Sequence, residues 1–370
     1  MFTRGGLDAA RVALEVSLAI AEERGAVLDQ VRLLGPLQMF HLRKGDFNTA
    51  LEYARRCSVV AGATEDSVAV AVAHSILGIS LHLNGNLAAA RVELEAAIDP
   101  ATAAGRTTTS YLGFEGRLLA GAVLARNLWL EGHPAQSIER AGRTVADAAA
   151  MDHSLTLSIA LVWAITVFLW AGELASAEEH VDRLFSRAEA YSLGPYLLVG
   201  RGFKGELAIL RGDADGGVLT LESALKDLHA APYELLSTSL SLALIRGLGA
   251  SGRFAQGMTL VDETIRLVEA RGDFCYLPEL LRVRGALLLS TPEPNRRNAE
   301  ACFQQSLSLS RRQGARAWEL RSAIDLARLW RGEGKSAAAH GLLQPIFDQF
   351  VGGRSTADLS AAARLLAELG

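Results

Sequence analysis

A glycine-containing turn recurs along most of the 370-residue chain and constrains the fold more than any other feature. The turn glycines are Gly5, Gly45, Gly85, Gly132, Gly172, Gly212, Gly252 and Gly334. Most intervals are 40 residues and one is 47, while the 82-residue gap after Gly252 leaves room for a further unit with its turn near Pro294. Repeats of this length are typical of stacked supersecondary units that bury one continuous core.

The residues around each turn predict two packed helices. A Gly just past a helix tolerates the left-handed conformation that ends it, and an Asp or Asn beside it can cap the next helix. Five positions on, a small residue lets the second helix approach the first: Ala50, Ala90, Ala177, Gly217, Gly257 and Ala339. Between turns, apolar residues recur at three- and four-residue spacing. We therefore predict an all-α fold of about nine helix pairs.

The repeat around the third turn resembles the tetratricopeptide (TPR) family most closely. Its matching residues are Leu77, Gly78, Leu81, Gly85, Ala90, Leu94 and Ala97, with Pro100 near the family's helix-ending proline. The resemblance implies a right-handed superhelical solenoid, one TPR-like domain over residues 1–370. We expect a leading second helix at 7–24, eight pairs, and a capping helix at 356–369 that covers the last apolar face. Because the chain starts on a second helix, we interpret it as the C-terminal part of a longer protein.

Charge and cysteine content narrow the function classes. A formal net charge of -4 and a pI near 6.1 provide no concentrated basic face, so direct nucleic-acid binding is not expected. Cys57, Cys275 and Cys302 are far apart and lack metal-ligand or CxxC spacing. They are typical of small buried hydrophobes in a reducing compartment, which indicates a cytoplasmic protein without disulfides or zinc.

One segment approaches the length of a membrane span. Residues 154–172 carry no full charge, and 159–170 are strongly apolar. The segment is in register with the repeats, so we interpret it as a central helix buried within the solenoid and expect no membrane association.

Three short motifs suggest chemistry that the repeat explains instead. Residues 200–205 fit GxGxxG, but a dinucleotide site would also need a preceding strand. Residues 332–336 resemble the end of a phosphate-binding loop, yet Leu329 stands where its first glycine should be. Two RGD triplets, 211–213 and 271–273, lie where one helix stops and the next is capped.

No catalytic constellation is visible in the sequence. The eight histidines do not cluster, no HExxH or GxSxG occurs, and Glu178–Glu179 lie on a charged helix face. His74 and His82 share a helix and are interpreted as structural. We therefore expect a non-catalytic protein without cofactors.

The candidate binding residues are those that the register places on the concave face, which first helices line in TPR solenoids. Arg126, Arg246 and Arg328 share one inward position, while His82, Trp129 and Arg331 share another. Recurrent Arg flanked by Trp would suit an anionic or peptide ligand. The alternative is that these are solvated arginines and tryptophans that pack between repeats.

Several segments resemble one group of signalling proteins. Residues 124–138, 280–289 and 299–330 are similar to the C-terminal repeats of large bacterial ATP-dependent proteins with an AAA/STAND-type ATPase domain. Their output domain is a winged-helix DNA-binding domain in one branch and a class III adenylate cyclase in another. Residues 164–178 and 203–217 look more like the winged-helix branch, that of transcriptional regulators.

That resemblance implies a sensor arm. The solenoid would bind an effector or protein partner and thereby control nucleotide exchange and self-association of an ATPase domain. No Walker motif and no winged helix occur in these 370 residues, so neither activity is carried over. One alternative is a free-standing TPR adaptor for protein–protein assembly, and another is an enzyme with an unrecognised active site.

Overall fold

The computed structural model describes residues 8–99 and 109–370, and within them every regular element is helical. A four-residue helix at Thr109–Leu112 and a 3-10 helix at Phe274–Tyr276 accompany eighteen longer α-helices. In chain order these are α1 (Asp8–Glu23), α2 (Val27–Lys44), α3 (Phe47–Ala61), α4 (Ser67–Leu83), α5 (Leu87–Ile98), α6 (Gly116–Leu130), α7 (Pro134–Ala150), α8 (Ser154–Ala171), α9 (Leu174–Ala190), α10 (Gly194–Leu210), α11 (Ala214–Ala230), α12 (Ser237–Ala250), α13 (Phe254–Arg271), α14 (Leu277–Ser290), α15 (Arg296–Gln313), α16 (Arg316–Gly332), α17 (Ser336–Phe347) and α18 (Ala357–Leu369). Gly5 and Pro100 lie outside the described residues.

The helices form eight pairs between a leading helix and a capping helix. Each even-numbered helix from α2 to α16 packs against the odd-numbered helix that follows it, and α18 packs on α16 and α17. The single helix α1 precedes the first pair. The predicted all-α solenoid of TPR-like helix pairs with a C-terminal cap is thus confirmed.

The turns are built as the sequence pattern requires. The seven turn glycines within the described residues have φ between 75° and 98°, the left-handed region in which a side chain is strained. At the first of them, the Asp46 side chain caps α3 by accepting a hydrogen bond of 3.1 Å from the Thr49 amide. Helices also approach closely, because a Cβ at Gly217 would lie 2.5 Å from Ile209 Cγ1.

The solenoid winds tightly enough for early repeats to touch late ones. The Glu234 amide donates to the Arg43 carbonyl at 2.6 Å. Asn84 donates to the Gly272 carbonyl, 188 residues along the chain, and Arg321 donates to the Trp170 carbonyl across 151 residues. Successive superhelical turns are therefore stacked, and they enclose the inner face formed by the even-numbered helices.

Helix α8 lies at the centre of this arrangement. By length and composition alone it could cross a membrane, but 89% of its 18-residue apolar window is buried inside the solenoid. The interpretation as a buried central helix agrees with this packing, because the surrounding first helices provide the apolar environment that the segment requires.

The three misleading motifs fall where the repeat predicts. Residues 200–205 lie within α10, and a Cβ on Gly205 would lie 2.8 Å from Leu221 Cγ, so this glycine permits helix packing. Residues 332–336 join α16 to α17. The RGD triplets join α10 to α11 and α13 to the 3-10 helix.

Candidate functional site

A chamber of about 450 Å³, lined by both charged and apolar side chains, lies inside the superhelix toward its C-terminal end. Its wall contains residues from α8, α10, α12, α14, α16 and α18, so successive first helices and the cap all face it. The charged lining residues are Glu206, Arg246, Arg282, Arg321, Asp325, Arg328 and Asp358. This concentration of guanidinium and carboxyl groups on an inward face distinguishes the chamber from the apolar core around it.

The Glu279 carboxylate organises the arginines of this wall. Its side chain is fully buried on α14 and accepts hydrogen bonds from Arg282 at 2.7 and 2.8 Å and from Arg321 at 3.2 Å. Arg246 pairs with the same carboxylate. Burial opposes ionisation, but the charges of Arg282, Arg246 and Arg321 outweigh it and hold the pKa of Glu279 well below its usual range.

Two of the four arginines are fully engaged by the protein. Arg282 also donates to Asp325 at 2.5 Å, so all three of its donor nitrogens have carboxylate partners. Arg321 donates to Asp358 at 2.7 Å and to the Trp170 carbonyl at 3.3 Å, besides its bond to Glu279. These two side chains therefore link α8, α14, α16 and α18 to one another.

The other two arginines keep donors for a ligand. Among residues 8–99 and 109–370, Arg246 pairs only with Glu279, and Arg328 donates only to Asp325, at 3.3 Å. Their side chains are 26% and 52% exposed, so they are the more accessible guanidinium groups of the lining. A guanidinium with free N–H groups binds carboxylate or phosphate in a bidentate manner.

Glu206 is the one acidic lining residue without a partner. It is 8% exposed, and it makes no hydrogen bond or ion pair with any residue that the structure describes. Burial raises its pKa to about 7, against the opposing charges of Arg246 and Arg321. When Glu206 is protonated, the four lining arginines and their three paired carboxylates, Glu279 included, leave one net positive charge.

The six candidate binding residues predicted from the repeat register lie in different surroundings. Arg246 and Arg328 line the chamber. Arg331, also on α16, is not among the lining residues; its side chain is 41% exposed and pairs with Glu368 of the cap. His82, Arg126 and Trp129 are buried in the core, with exposed fractions of 0%, 0% and 3%. The prediction that these three could meet a groove ligand therefore has no accessible surface to support it.

Arg126 lies in an aromatic cage in place of a carboxylate pair. Its guanidinium carbon is 4.7 Å from the centroid of the Trp163 ring and 4.9 Å from that of Trp170. The Tyr276 hydroxyl accepts one of its N–H groups. Negative ring faces thus supply the attraction that a carboxylate would otherwise give.

His82 is neutral in this core. Its Nδ1 lies 3.1 Å from the Asn127 side-chain oxygen, and Asn127 in turn donates to the Leu87 carbonyl. Burial, with the charge of Arg126, lowers the pKa of His82 to about 3. The histidine is therefore structural, as the sequence indicated, and joins neighbouring repeats.

Sequence reasoning missed Glu206, Glu279, Arg282, Arg321, Asp325 and Asp358. Glu206 stands six residues before Gly212, the same register position as Arg126 and Arg246, and could have been found from that spacing. Arg282 and Arg321 stand on first helices, α14 and α16, that carry several other charged residues as well. Their role depends on pairing between helices, which periodicity does not reveal.

Two other pockets, of about 310 and 240 Å³, lie along α6 and α7 and are smaller than the chamber. An apolar pocket of about 40 Å³ lies toward the N-terminal end, lined among others by Ile79, Trp163, Tyr196 and Tyr233. That volume holds one or two water molecules. No group of three or more His, Cys, Asp or Glu in the described parts of the chain could hold a metal ion. The chamber is therefore the better candidate for ligand binding.

Comparisons with known proteins extend the fold assignment. No protein-family profile matches the sequence. No curated protein matches it either. Among solved structures, a Rap protein complexed with competence and sporulation factor is similar, with a TM-score of 0.57, 12% identity, and coverage of 97% of this chain and 88% of that one.

Two further structures extend the comparison. The Rap conjugation gene regulator of the plasmid pLS20, solved with a Phr peptide, has a TM-score of 0.57 and 11% identity, and the match covers 92% of this chain and 98% of that one. A STAND protein with a tetratricopeptide repeat sensor from Pyrococcus horikoshii matches 99% of this chain and 50% of its own, but its TM-score of 0.34 carries no weight. At such identities the similarity concerns the fold alone, and nothing favours the winged-helix over the cyclase branch. The chain therefore has the fold of TPR-like helical repeat proteins.

Proposed function

We propose that this chain is a non-catalytic, effector-binding module, and that its effector occupies the chamber between α12 and α16. The observation that carries the proposal is the pair of guanidinium groups, partly exposed Arg246 and half-exposed Arg328, on the wall of a 450 Å³ chamber. Small-ligand pockets commonly have volumes of roughly 300–1,000 Å³. The two similar Rap proteins were solved with competence and sporulation factor and with a Phr peptide, which is consistent with ligand binding by this fold.

The chamber geometry gives such a ligand a means of acting. Its wall combines first helices of five successive repeats with the cap, so one bound anion contacts elements far apart in sequence. A ligand that binds one superhelical curvature better than another shifts the population toward it. In a cytoplasmic, ATP-dependent transcriptional regulator, this shift would change the contact with an ATPase domain that these 370 residues do not contain.

A thermal-shift screen of metabolites and short peptides tests the proposal. A ligand present at 100 times its dissociation constant should stabilise the chain by about 2.7 kcal/mol. Arg246→Gln should abolish that stabilisation, while Glu279 keeps Arg282 and Arg321 as partners. Arg143→Gln, on the exposed face of α7, is the matched control and should respond as wild type. A ligand that stabilises the Arg246 variant as strongly as wild type would contradict the proposal.

A second candidate function is a free-standing adaptor. Val12, Val16 and Ile20 form a stripe at four-residue spacing on α1, with exposed fractions of 47%, 57% and 44%. A partner protein could cover this stripe without using the chamber. Val16→Glu would then abolish partner binding and leave chamber ligands unaffected, whereas Arg246→Gln would do the reverse.

A further inference from the structure

We infer that the chamber takes a zwitterionic ligand, a free amino acid or short peptide whose carboxylate binds Arg246 and Arg328 and whose protonated amine binds Glu206. This inference rests on the proposed function, because it names the chemistry of the ligand in the same chamber.

We infer the carboxylate of the ligand from the hydrogen-bond donors that the four arginines have left. Arg282 and Arg321 already donate through each of their side-chain nitrogens to Glu279, Asp325, Asp358 or the Trp170 carbonyl. Arg246 and Arg328 each have a single carboxylate partner and face the chamber. A ligand carboxylate can use their remaining N–H groups without breaking an existing ion pair.

We infer the ammonium group of the ligand from Glu206, which has no partner in the chamber wall. Every other acidic residue of the wall accepts at least one hydrogen bond from an arginine, as Asp325, Asp358 and Glu279 do. Glu206 has none, although Arg246 and Arg321 are close enough to lower its pKa. The Glu206 side chain is largely buried and has no hydrogen-bond donor from the protein, so a donor from a ligand would stabilise its charged form. An ammonium group supplies both the missing donors and the opposite charge.

Ligands with one kind of charge fit the wall less well. A simple anion would satisfy Arg246 and Arg328 but leave Glu206 without a partner. A simple cation would pair with Glu206 but would meet four arginines. A zwitterion leaves the net charge of the chamber unchanged and satisfies both ends. Leu169, Trp170 and Leu210 provide apolar surface for the ligand's side chain.

The test uses the full chain and three dipeptide mixtures: free, N-acetylated and C-amidated, with a mixture of free amino acids as a fourth arm. Thermal unfolding gives an apparent affinity for each mixture. We expect the free dipeptides or the free amino acids to stabilise wild type, and this contrast distinguishes the two sources. Each blocked mixture should bind at least about tenfold more weakly than the free dipeptides, which corresponds to about 1.4 kcal/mol.

Two variants assign the ends of the ligand. Glu206→Gln should reduce the affinity for free dipeptides or amino acids to that for N-acetylated dipeptides, and Arg246→Gln should reduce it to that for the amidated ones. Glu222→Gln, at a partly exposed Glu on α11 that pairs with Arg253 and does not line the chamber, is the matched control and should bind as wild type. Glu206→Gln removes a carboxyl that has no partner, so it should fold at least as stably as wild type.

The outcomes separate this inference from the proposed function. If N-acetylated dipeptides bind as tightly as free ones, or if Glu206→Gln binds free ligands normally, the inference is wrong even where Arg246→Gln abolishes binding. If none of the four mixtures shifts unfolding at millimolar concentration, the inference is also wrong. The proposed function would then depend only on the wider metabolite and peptide screen.

Discussion

Arg126 and Arg246 occupy the same position of the repeat, six residues before a turn glycine, yet their surroundings are opposite. Arg126 is completely buried among Trp163, Trp170 and Tyr276. Arg246 faces a chamber and pairs with the Glu279 carboxylate. The repeat position determines that each side chain points inward, and the neighbouring superhelical turn determines what it meets there.

The difference between Arg126 and Arg246 indicates which half of the interior can bind a ligand. Around Arg126, residues from the late repeats cover the early first helices, as the Tyr276 and Trp318 rings beside Trp170 show. Around Arg246, charged side chains from α10, α14, α16 and α18 line an open space instead. Core and site are thus built from equivalent positions of one repeat.

The largest effect should come from opening the covered half. Trp318 is fully buried, donates its indole N–H to the Cys275 carbonyl at 2.9 Å, and packs edge-on against Trp170. Trp318→Ala should lower the free energy of unfolding by about 3–5 kcal/mol, because it leaves a cavity between superhelical turns. Urea unfolding provides the measurement.

Trp330→Ala is the matched control, because Trp330 is only partly buried and donates to Glu300 at 2.8 Å. Its loss should be clearly smaller. Equal losses for the two tryptophans would mean that contact between superhelical turns adds nothing to stability.

A medium effect should appear when pH is varied at the chamber. Because the pKa of Glu206 is raised from 4.5 to about 7, its folded-state proton stabilises the chain below pH 4.5, and that contribution is lost as pH rises through 7. The charged groups around it are Arg246 on α12 and Arg321 on α16, which both stay ionised. The loss should amount to about 1–3 kcal/mol.

Glu206→Gln should remove this dependence between pH 4.5 and 7, as measured by chemical unfolding at a series of pH values. Glu222→Gln, at a partly exposed position of α11, should retain it. A wild-type chain whose stability stays level or rises over that interval, after the Glu222 variant is used as reference, would show that Glu206 is ionised throughout.

The smallest effect on stability is expected at Arg328. Its side chain is half-exposed and its ion pair with Asp325 is 3.3 Å long, so Arg328→Gln should change the free energy of unfolding by less than about 1 kcal/mol. Ligand-induced stabilisation should nevertheless decrease, because a chamber donor is lost. A large loss of stability would assign Arg328 to the core and weaken the distinction between the two halves.

The repeat made much of the fold predictable. Left-handed turn glycines, small residues such as Ala90 and Ala177, and the buried α8 all follow from local chemistry that a single sequence contains. The same register pointed to Arg246 and Arg328, which line the chamber. Whether a side chain points toward the inner face depends only on its position along its own helix, so it can be predicted from the sequence.

The burial of Arg126 and the chamber wall were not predictable in the same way. The bond from Arg321 to the Trp170 carbonyl joins residues 151 positions apart, and its bond to Asp358 depends on where the cap is placed. Such contacts depend on small rotations between repeats that accumulate along the chain. Those rotations leave no periodic signal in the sequence.

The stacking of superhelical turns has a consequence for cooperativity. In an open array each repeat senses only its neighbours, so the chain can stretch elastically and unfold from its ends. Here the Arg43 carbonyl is bonded to the Glu234 amide, and the Trp170 carbonyl to Arg321, which couples repeats far apart in sequence. Extension of the superhelix requires those contacts to break together. We therefore expect a two-state transition between a closed and an extended form, and not a gradual stretching.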